Sequence, residues 1–138
     1  MTTTSPQEVI SRIERNAKKF AKPQPTLRFV RTIEIGQHIR QGDLYIHRVK
    51  SIPEEYTVET QERQLASGVT PGSRHCLAPE AKVRIFTKVT PGPLDGPAFD
   101  LLERGDITHP VHDHDSLPRG CYVVTYQQDW KSKARVAD

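Results

Sequence analysis

Short runs in which apolar and polar residues alternate, separated by glycine and proline, constrain this chain most strongly. In residues 82–89 valine, isoleucine and threonine occupy the odd positions, and lysine, arginine and phenylalanine the even ones. Successive side chains of a β-strand point to opposite faces, so this spacing predicts a strand with one buried face. Similar runs occur at 27–35, 44–50 and 121–127. Strands do not alternate with long helical segments, which argues against a parallel α/β fold.

We therefore predict a mainly β fold, a small antiparallel barrel or sandwich of six or seven short strands. One amphipathic helix is predicted before it, because residues 5–20 combine an apolar stripe at helical spacing with a capping box at Ser5 and Glu8. Pro23 and Pro25 end this helix. The predicted organisation is a helix and proline-rich linker at 1–25, a single β domain at 26–130 and a polar tail at 131–138.

Length and composition exclude several classes of protein. The chain has 138 residues, the size of one domain. No apolar run approaches the roughly 20 residues of a membrane span, and the N-terminus lacks a basic-then-apolar signal pattern. Two cysteines, Cys76 and Cys121, are too few for a disulfide framework. We therefore predict a cytoplasmic protein without a membrane partner.

The net charge of +3 is unevenly distributed. Residues 1–50 contain ten Lys or Arg and four Asp or Glu, a net charge of +6. A basic segment favours a polyanion such as nucleic acid, or an acidic protein surface, although such a run is also typical of a solvated helix face. The predicted contact residues are the basic positions of the N-terminal helix, Arg12, Arg15, Lys18, Lys19 and Lys22.

Histidines form the most informative cluster. Three of the six lie in residues 109–114, where His109, His112 and His114 are interleaved with aspartate. Imidazole and carboxylate groups together are the ligand set for Zn, Fe, Mn or Ni. His75 is the candidate for a further ligand from a separate turn, and His38 and His47, in or beside the early strands, are weaker candidates. A solvated Asp/His loop and a pH-sensitive or catalytic histidine remain alternatives for the same residues.

Other catalytic patterns are weak or missing. Cys76 directly follows His75, but adjacent residues rarely converge on one reaction centre. Cys121 lies in an apolar strand, as a core cysteine does. Neither a glycine-rich dinucleotide motif nor a P-loop occurs, which excludes nucleotide binding by those routes.

Several short motifs occur in a fixed order. They are Gln-Gly-Asp at 41–43, a turn ending in His75, His-Pro-Val-His at 109–112, and Leu-Pro-Arg-Gly-Cys-Tyr-Val-Val at 117–124. Their order resembles a family of small bacterial and phage-associated β-rich proteins, over about residues 40–130. The resemblance implies a small β domain with histidines at positions 75, 109 and 112, and it carries no activity with it. Ser73 stands where that family has a further histidine, and Gln128-Asp129 replaces its Arg-Glu.

These observations favour a non-catalytic binding or structural protein of a phage or mobile-element system. It would associate with a protein partner, or with itself, through the N-terminal helix, and its His cluster would hold a divalent metal. One alternative is a cupin-like metal-dependent enzyme acting on a small molecule, although the cupin glutamate ligand has no clear counterpart here. The second alternative is a nucleic-acid-binding accessory protein.

Overall fold

The computed structural model describes residues 26–66, 75–110 and 114–128. These residues form ten β-strands and no helix. In chain order the strands are β1 (Leu27–Phe29), β2 (His38–Gln41), β3 (Leu44–Val49), β4 (Val58–Thr60), β5 (Cys76–Leu77), β6 (Val83–Thr87), β7 (Asp95–Leu101), β8 (Gly105–Thr108), β9 (His114–Leu117) and β10 (Gly120–Tyr126).

Two sheets share one hydrophobic core. One sheet has six strands in the order β2-β3-β10-β7-β6-β4, and the other has four in the order β1-β9-β8-β5. Every pair of neighbouring strands is antiparallel except β1 and β9, which run parallel. Leu44, Phe99 and Tyr122 of the larger sheet join Ile107 and Leu117 of the smaller sheet in a single buried cluster. The apolar residues of the alternating runs therefore meet between the two sheets.

The centre of the larger sheet contains the largest buried side chains. Phe99 on β7 lies directly opposite Tyr122 on β10, and their rings stack with centroids 5.2 Å apart. The Tyr122 hydroxyl donates a hydrogen bond to the carbonyl of Pro118 at 2.6 Å. Burial raises the pKa of Tyr122 to about 12, so this phenol stays neutral and serves as a packing residue.

The prediction of a barrel behind an N-terminal helix is wrong. Neither sheet closes on itself: the larger one ends at β2 and β4, and the smaller one at β1 and β5. The predicted helix falls on residues 1–25, which lie outside the described residues, and the described residues contain no helix. Ten strands replace the six or seven predicted, because several are only two to four residues long and too short to show alternation.

Helical membrane spans were also predicted to be absent. Among the described residues, no helix is long and apolar enough to cross a membrane.

The turn before β7 makes stability depend on pH. The Asp95 carboxylate accepts hydrogen bonds from the Gly92 amide at 2.8 Å and from the Lys88 ammonium at 3.1 Å. These two groups lower the pKa of Asp95 below its usual value of 3.8. A carboxyl group whose pKa is lowered by folding stabilises the protein above its unfolded pKa, and this contribution disappears as the pH falls through the folded pKa.

We expect Asp95→Asn to lower the free energy of unfolding by about 0.5–1 kcal/mol near neutral pH, a modest value because both side chains are partly exposed. The difference between the two proteins should shrink as the pH falls below the usual Asp95 value of 3.8 and through the lowered pKa of the folded protein. Urea unfolding from about pH 2 to pH 7 measures this. A difference that stays constant over that whole range would mean that the charge of Asp95 contributes nothing.

Candidate functional site

A group of polar residues is buried where the two sheets meet. Gln41 and Asp43 come from the larger sheet, and His75, His109 and Asp115 belong to the segments that form the smaller one. Each of these five residues has an exposed fraction of 2% or less. Polar groups removed from water in this way need hydrogen-bond partners, because an unmade bond costs about 1–3 kcal/mol. We call these five residues the polar cluster.

The hairpin between β2 and β3 positions two members of the polar cluster. Gln41 ends β2, Leu44 begins β3, and the two-residue loop between them is Gly42-Asp43. Gly42 has a φ of 59°, which glycine adopts without strain and which tight hairpin loops require. The carbonyl of Asp43 accepts a hydrogen bond from the amide of Gln127 at 3.0 Å. The Gln-Gly-Asp motif is therefore a hairpin loop whose two polar side chains enter the core.

The orientation of the Gln41 amide follows from its acceptors. Its nitrogen, Nε2, donates to the carbonyl of Ile107 at 3.1 Å and to Oδ2 of Asp115 at 3.0 Å. Because the amide nitrogen faces these two oxygens, the amide oxygen, Oε1, is the atom that faces His75. Gln41 thus connects the larger sheet to β8 and β9 of the smaller one.

His75 contacts an oxygen at each ring nitrogen. Nδ1 lies 2.8 Å from Oε1 of Gln41, and Nε2 lies 3.2 Å from Oδ1 of Asp43. A neutral imidazole has one donor and one acceptor nitrogen, whereas an imidazolium has two donors. With an amide oxygen and a carboxylate as partners, a protonated ring donates from both nitrogens, as an imidazolium paired with Asp43. Both nitrogens are then engaged inside the protein.

Arg28 closes the other end of the polar cluster. Its Nε donates to Oδ1 of Asp115, and the two residues are directly opposite each other on β1 and β9. Its guanidinium also donates to the carbonyl of Arg40 on β2 at 2.9 Å. Asp115 is fully buried, whereas the Arg28 side chain is 48% exposed. The buried carboxylate is therefore neutralised by a cation that reaches in from the surface.

Two of the four predicted metal ligands lie side by side. The ring centroids of His75 and His109 are 4.3 Å apart, although 34 positions separate the residues in the chain. His114 is nearby, but its Nε2 contacts the backbone carbonyl of His109 at 2.9 Å and must donate to it. His112 lies outside the described residues.

No preformed metal site is found in the part of the chain that the structure describes. There, no three His, Cys, Asp or Glu side chains form a group that could hold a metal ion. His75 is already bonded to Gln41 and Asp43, so a metal at this ring would have to displace one of them. The predicted contact residues of the N-terminal helix also lie outside the described residues; they are Arg12, Arg15, Lys18, Lys19 and Lys22.

Two surface grooves lie away from the polar cluster. The first, of about 380 Å³, runs beside β4 and β6 and is lined by residues such as Glu59, Lys88 and Tyr126. The second, of about 370 Å³, lies beside His38 and Ile33. Neither is lined by a member of the polar cluster, so the buried histidines do not face these grooves.

Cys121 does not have the properties of a nucleophile. Burial raises the pKa of its thiol, and the neighbouring Asp100 raises it further, so the thiolate is disfavoured at neutral pH. Both Cys76 and Cys121 are partly buried within strands.

Comparison with known proteins identifies the family of this chain. The model of a domain of unknown function, DUF8820, matches residues 40–127, more than half of the chain. The chain belongs to the DUF8820 family. All five residues of the polar cluster lie inside the DUF8820 match, which begins one residue before Gln41, whereas Arg28 and His38 precede it. No curated protein and no solved structure matches the chain.

The DUF8820 match supports the predicted family resemblance in part. One domain family covers most of residues 40–130, as the order of the motifs predicts. The link to phages, and the significance of the individual motifs, stay predictions.

Sequence reasoning found the histidines of the DUF8820 domain but missed their partners. The residues predicted for the site do not include Gln41, Asp43, Asp115 or Arg28. The Gln-Gly-Asp motif was the available signal, because two polar residues flanking a tight hairpin glycine can both turn into the core. Arg28 had no such signal, since its partner lies 87 positions away.

Proposed function

We propose that this protein is a non-catalytic binding or structural protein, in which the polar cluster joins the two sheets. The observation that carries the proposal is the engagement of both His75 nitrogens by Gln41 and Asp43 in the interior. A general base or nucleophile activator needs a nitrogen directed at its substrate, and a metal ligand needs a free lone pair. A His75 that donates from both nitrogens offers neither.

The connections made by the polar cluster support the same proposal. Gln41, on the larger sheet, bonds to Ile107 and Asp115 on the smaller one, and His75 bonds back to Asp43. A buried network of hydrogen bonds between two sheets fixes the relative placement of the elements that it joins. The association with phages or mobile elements, which the motif resemblance implies, belongs to the proposal as its biological setting.

A divalent-metal protein is the second candidate, with His75, His109, His112 and His114 as the ligands. What favours it is that the fold brings His75 and His109 side by side from distant positions in the chain. What opposes it is the engagement of His75 by Gln41 and Asp43, together with the backbone contact of His114.

Metal removal decides between the two candidates. We expect untagged protein, after gel filtration in metal-free buffer, to contain less than about 0.1 equivalent of Zn, Fe, Mn or Ni. We also expect EDTA to change its Tm by less than about 1 °C, because a network of side chains needs no ion to stay folded. Elemental analysis and a thermal melt measure the two quantities.

The opposite result would establish the metal candidate. One equivalent of metal together with a fall of about 5 °C or more in Tm on adding EDTA would show that an ion stabilises the fold. In that case His109→Ala should abolish the bound metal, whereas Glu103→Ala, at an exposed carboxylate outside the histidine cluster, should leave it in place.

A further inference from the structure

A second pair of histidines lies on the solvent-facing side of the larger sheet. His38 on β2 and His47 on β3 are directly opposite each other in the antiparallel register. Directly opposed residues project from the same face of a sheet. Their ring centroids are 5.3 Å apart, with an angle of 45° between the ring planes. His38 is exposed and His47 is half-buried, so the pair is open to solvent without any movement of the fold.

The spacing of this pair matches that of two imidazoles bound to one ion. With metal–nitrogen bonds of about 2.0–2.1 Å and tetrahedral angles, the centroids of two coordinating rings lie about 5.2 Å apart. His38 and His47 therefore already have the required separation. The rings of His75 and His109, at 4.3 Å, are closer than this geometry allows.

A neighbouring hydroxyl holds one of the two rings. Oγ1 of Thr125, on β10, lies 2.8 Å from Nε2 of His47. Because β10 and β2 flank β3 on opposite sides, this contact is made on the side away from His38. Partners of this kind orient a metal-binding histidine, and with Nε2 of His47 held at this hydroxyl, Nδ1 is the nitrogen that faces the ion.

We propose that His38 and His47 form an exposed two-histidine site for a divalent transition-metal ion of the Zn²⁺, Ni²⁺ and Cu²⁺ class. Water, or a ligand from outside the protein, fills the remaining coordination positions. Imidazole pairs suit these ions and not Mg²⁺ or Ca²⁺, which take oxygen ligands. Affinity follows the general order in which Cu²⁺ binds more tightly than Ni²⁺ or Zn²⁺.

Titration of the untagged, metal-free full-length protein with NiCl₂ and with ZnCl₂ tests the site by calorimetry. We expect one ion per chain, with a Kd on the order of 1–100 µM for two imidazole ligands. His38→Ala and His47→Ala should each weaken binding at least about tenfold, and Thr125→Val by a smaller factor because it only orients His47. His114→Ala is the matched control, since it removes a histidine of the 109–114 segment and should leave binding of the ion unchanged.

Two results would overturn the site. One is the absence of saturable binding below about 1 mM Ni²⁺ or Zn²⁺, a concentration at which an imidazole pair binds these ions. The other is binding that survives both His38→Ala and His47→Ala, which would assign the ion to other residues. His38 is exposed, so its alanine variant should keep the wild-type circular dichroism spectrum and Tm, and a loss of binding then reports the missing ligand. The outcome of this titration does not depend on the polar cluster, because neither His38 nor His47 belongs to it.

Discussion

Asp43→Ala is expected to lower the free energy of unfolding by about 3–5 kcal/mol, a large part of the stability of a small domain. The reason is the position of Asp43 beside Nε2 of His75, with both side chains almost completely removed from water. Removing the carboxylate leaves the imidazolium without its counter-charge in the interior. Urea unfolding followed by circular dichroism, with the slope of the transition compared between the two proteins, measures the loss.

Two further variants make this prediction specific. Asp100→Ala removes an aspartate from the solvent-facing side of the same sheet and should cost no more than about 1 kcal/mol. Asp43→Asn keeps the shape of the side chain but removes its charge. An asparagine amide can donate to a neutral His75, so a harmless Asp43→Asn would contradict the imidazolium, whereas a loss close to that of Asp43→Ala would support it.

The second large effect is expected at the centre of the larger sheet. Phe99→Ala should lower the free energy of unfolding by about 3–5 kcal/mol, because it removes a fully buried ring and leaves a cavity beside Tyr122. Phe86 provides the matched control, since it lies on the neighbouring strand and is only half-buried. Phe86→Ala should cost clearly less, and thermal or urea unfolding of both variants gives the comparison.

Equal losses for Phe99→Ala and Phe86→Ala would contradict the assignment of the two sheet faces. Because Phe86 is opposite Ala98 whereas Phe99 is opposite Ile85, the two rings project from opposite faces. The pair of variants therefore reports which face of the sheet is covered by the smaller sheet.

The alternating runs predict strands well only where a strand has neighbours on both sides or is long. Residues 83–87 and 120–126 are strands, close to the predicted runs. The run at 27–35 forms a strand only over Leu27–Phe29, because its single partner, β9, has just four residues. The alternating pattern is a property of one segment alone, whereas the length of a strand also depends on the strand that pairs with it.

The start of β7 is not evident from the sequence. Residues 90–97 contain three prolines and two glycines, a composition typical of a loop, yet the strand begins at Asp95 and includes Gly96 and Pro97. Pairing with β6 ends at Ala98, and the register with β10 shifts between Val123 and Thr125. The ladder is thus interrupted where Pro97 has no amide to donate.

The candidate site was likewise only partly predictable from the sequence. The proximity of His75 and His109 followed from residue type and from the motif order. The pairing of His75 with Gln41 and Asp43 did not, because it depends on how the hairpin loop enters the core. Sequence also gave no reason to combine His38 with His47, since their juxtaposition depends on the register of β2 and β3.

The last strand among the described residues, β10, lies in the middle of the larger sheet, between β3 and β7. The β2–β3 and β6–β7 hairpins can each pair before β10 is in place, but they become one sheet only when residues 120–126 insert between them. Pairing between segments so distant in the chain is intrinsically slow. Until this step is complete, the two hairpins expose open sheet edges, which are surfaces that chaperones protect from aggregation.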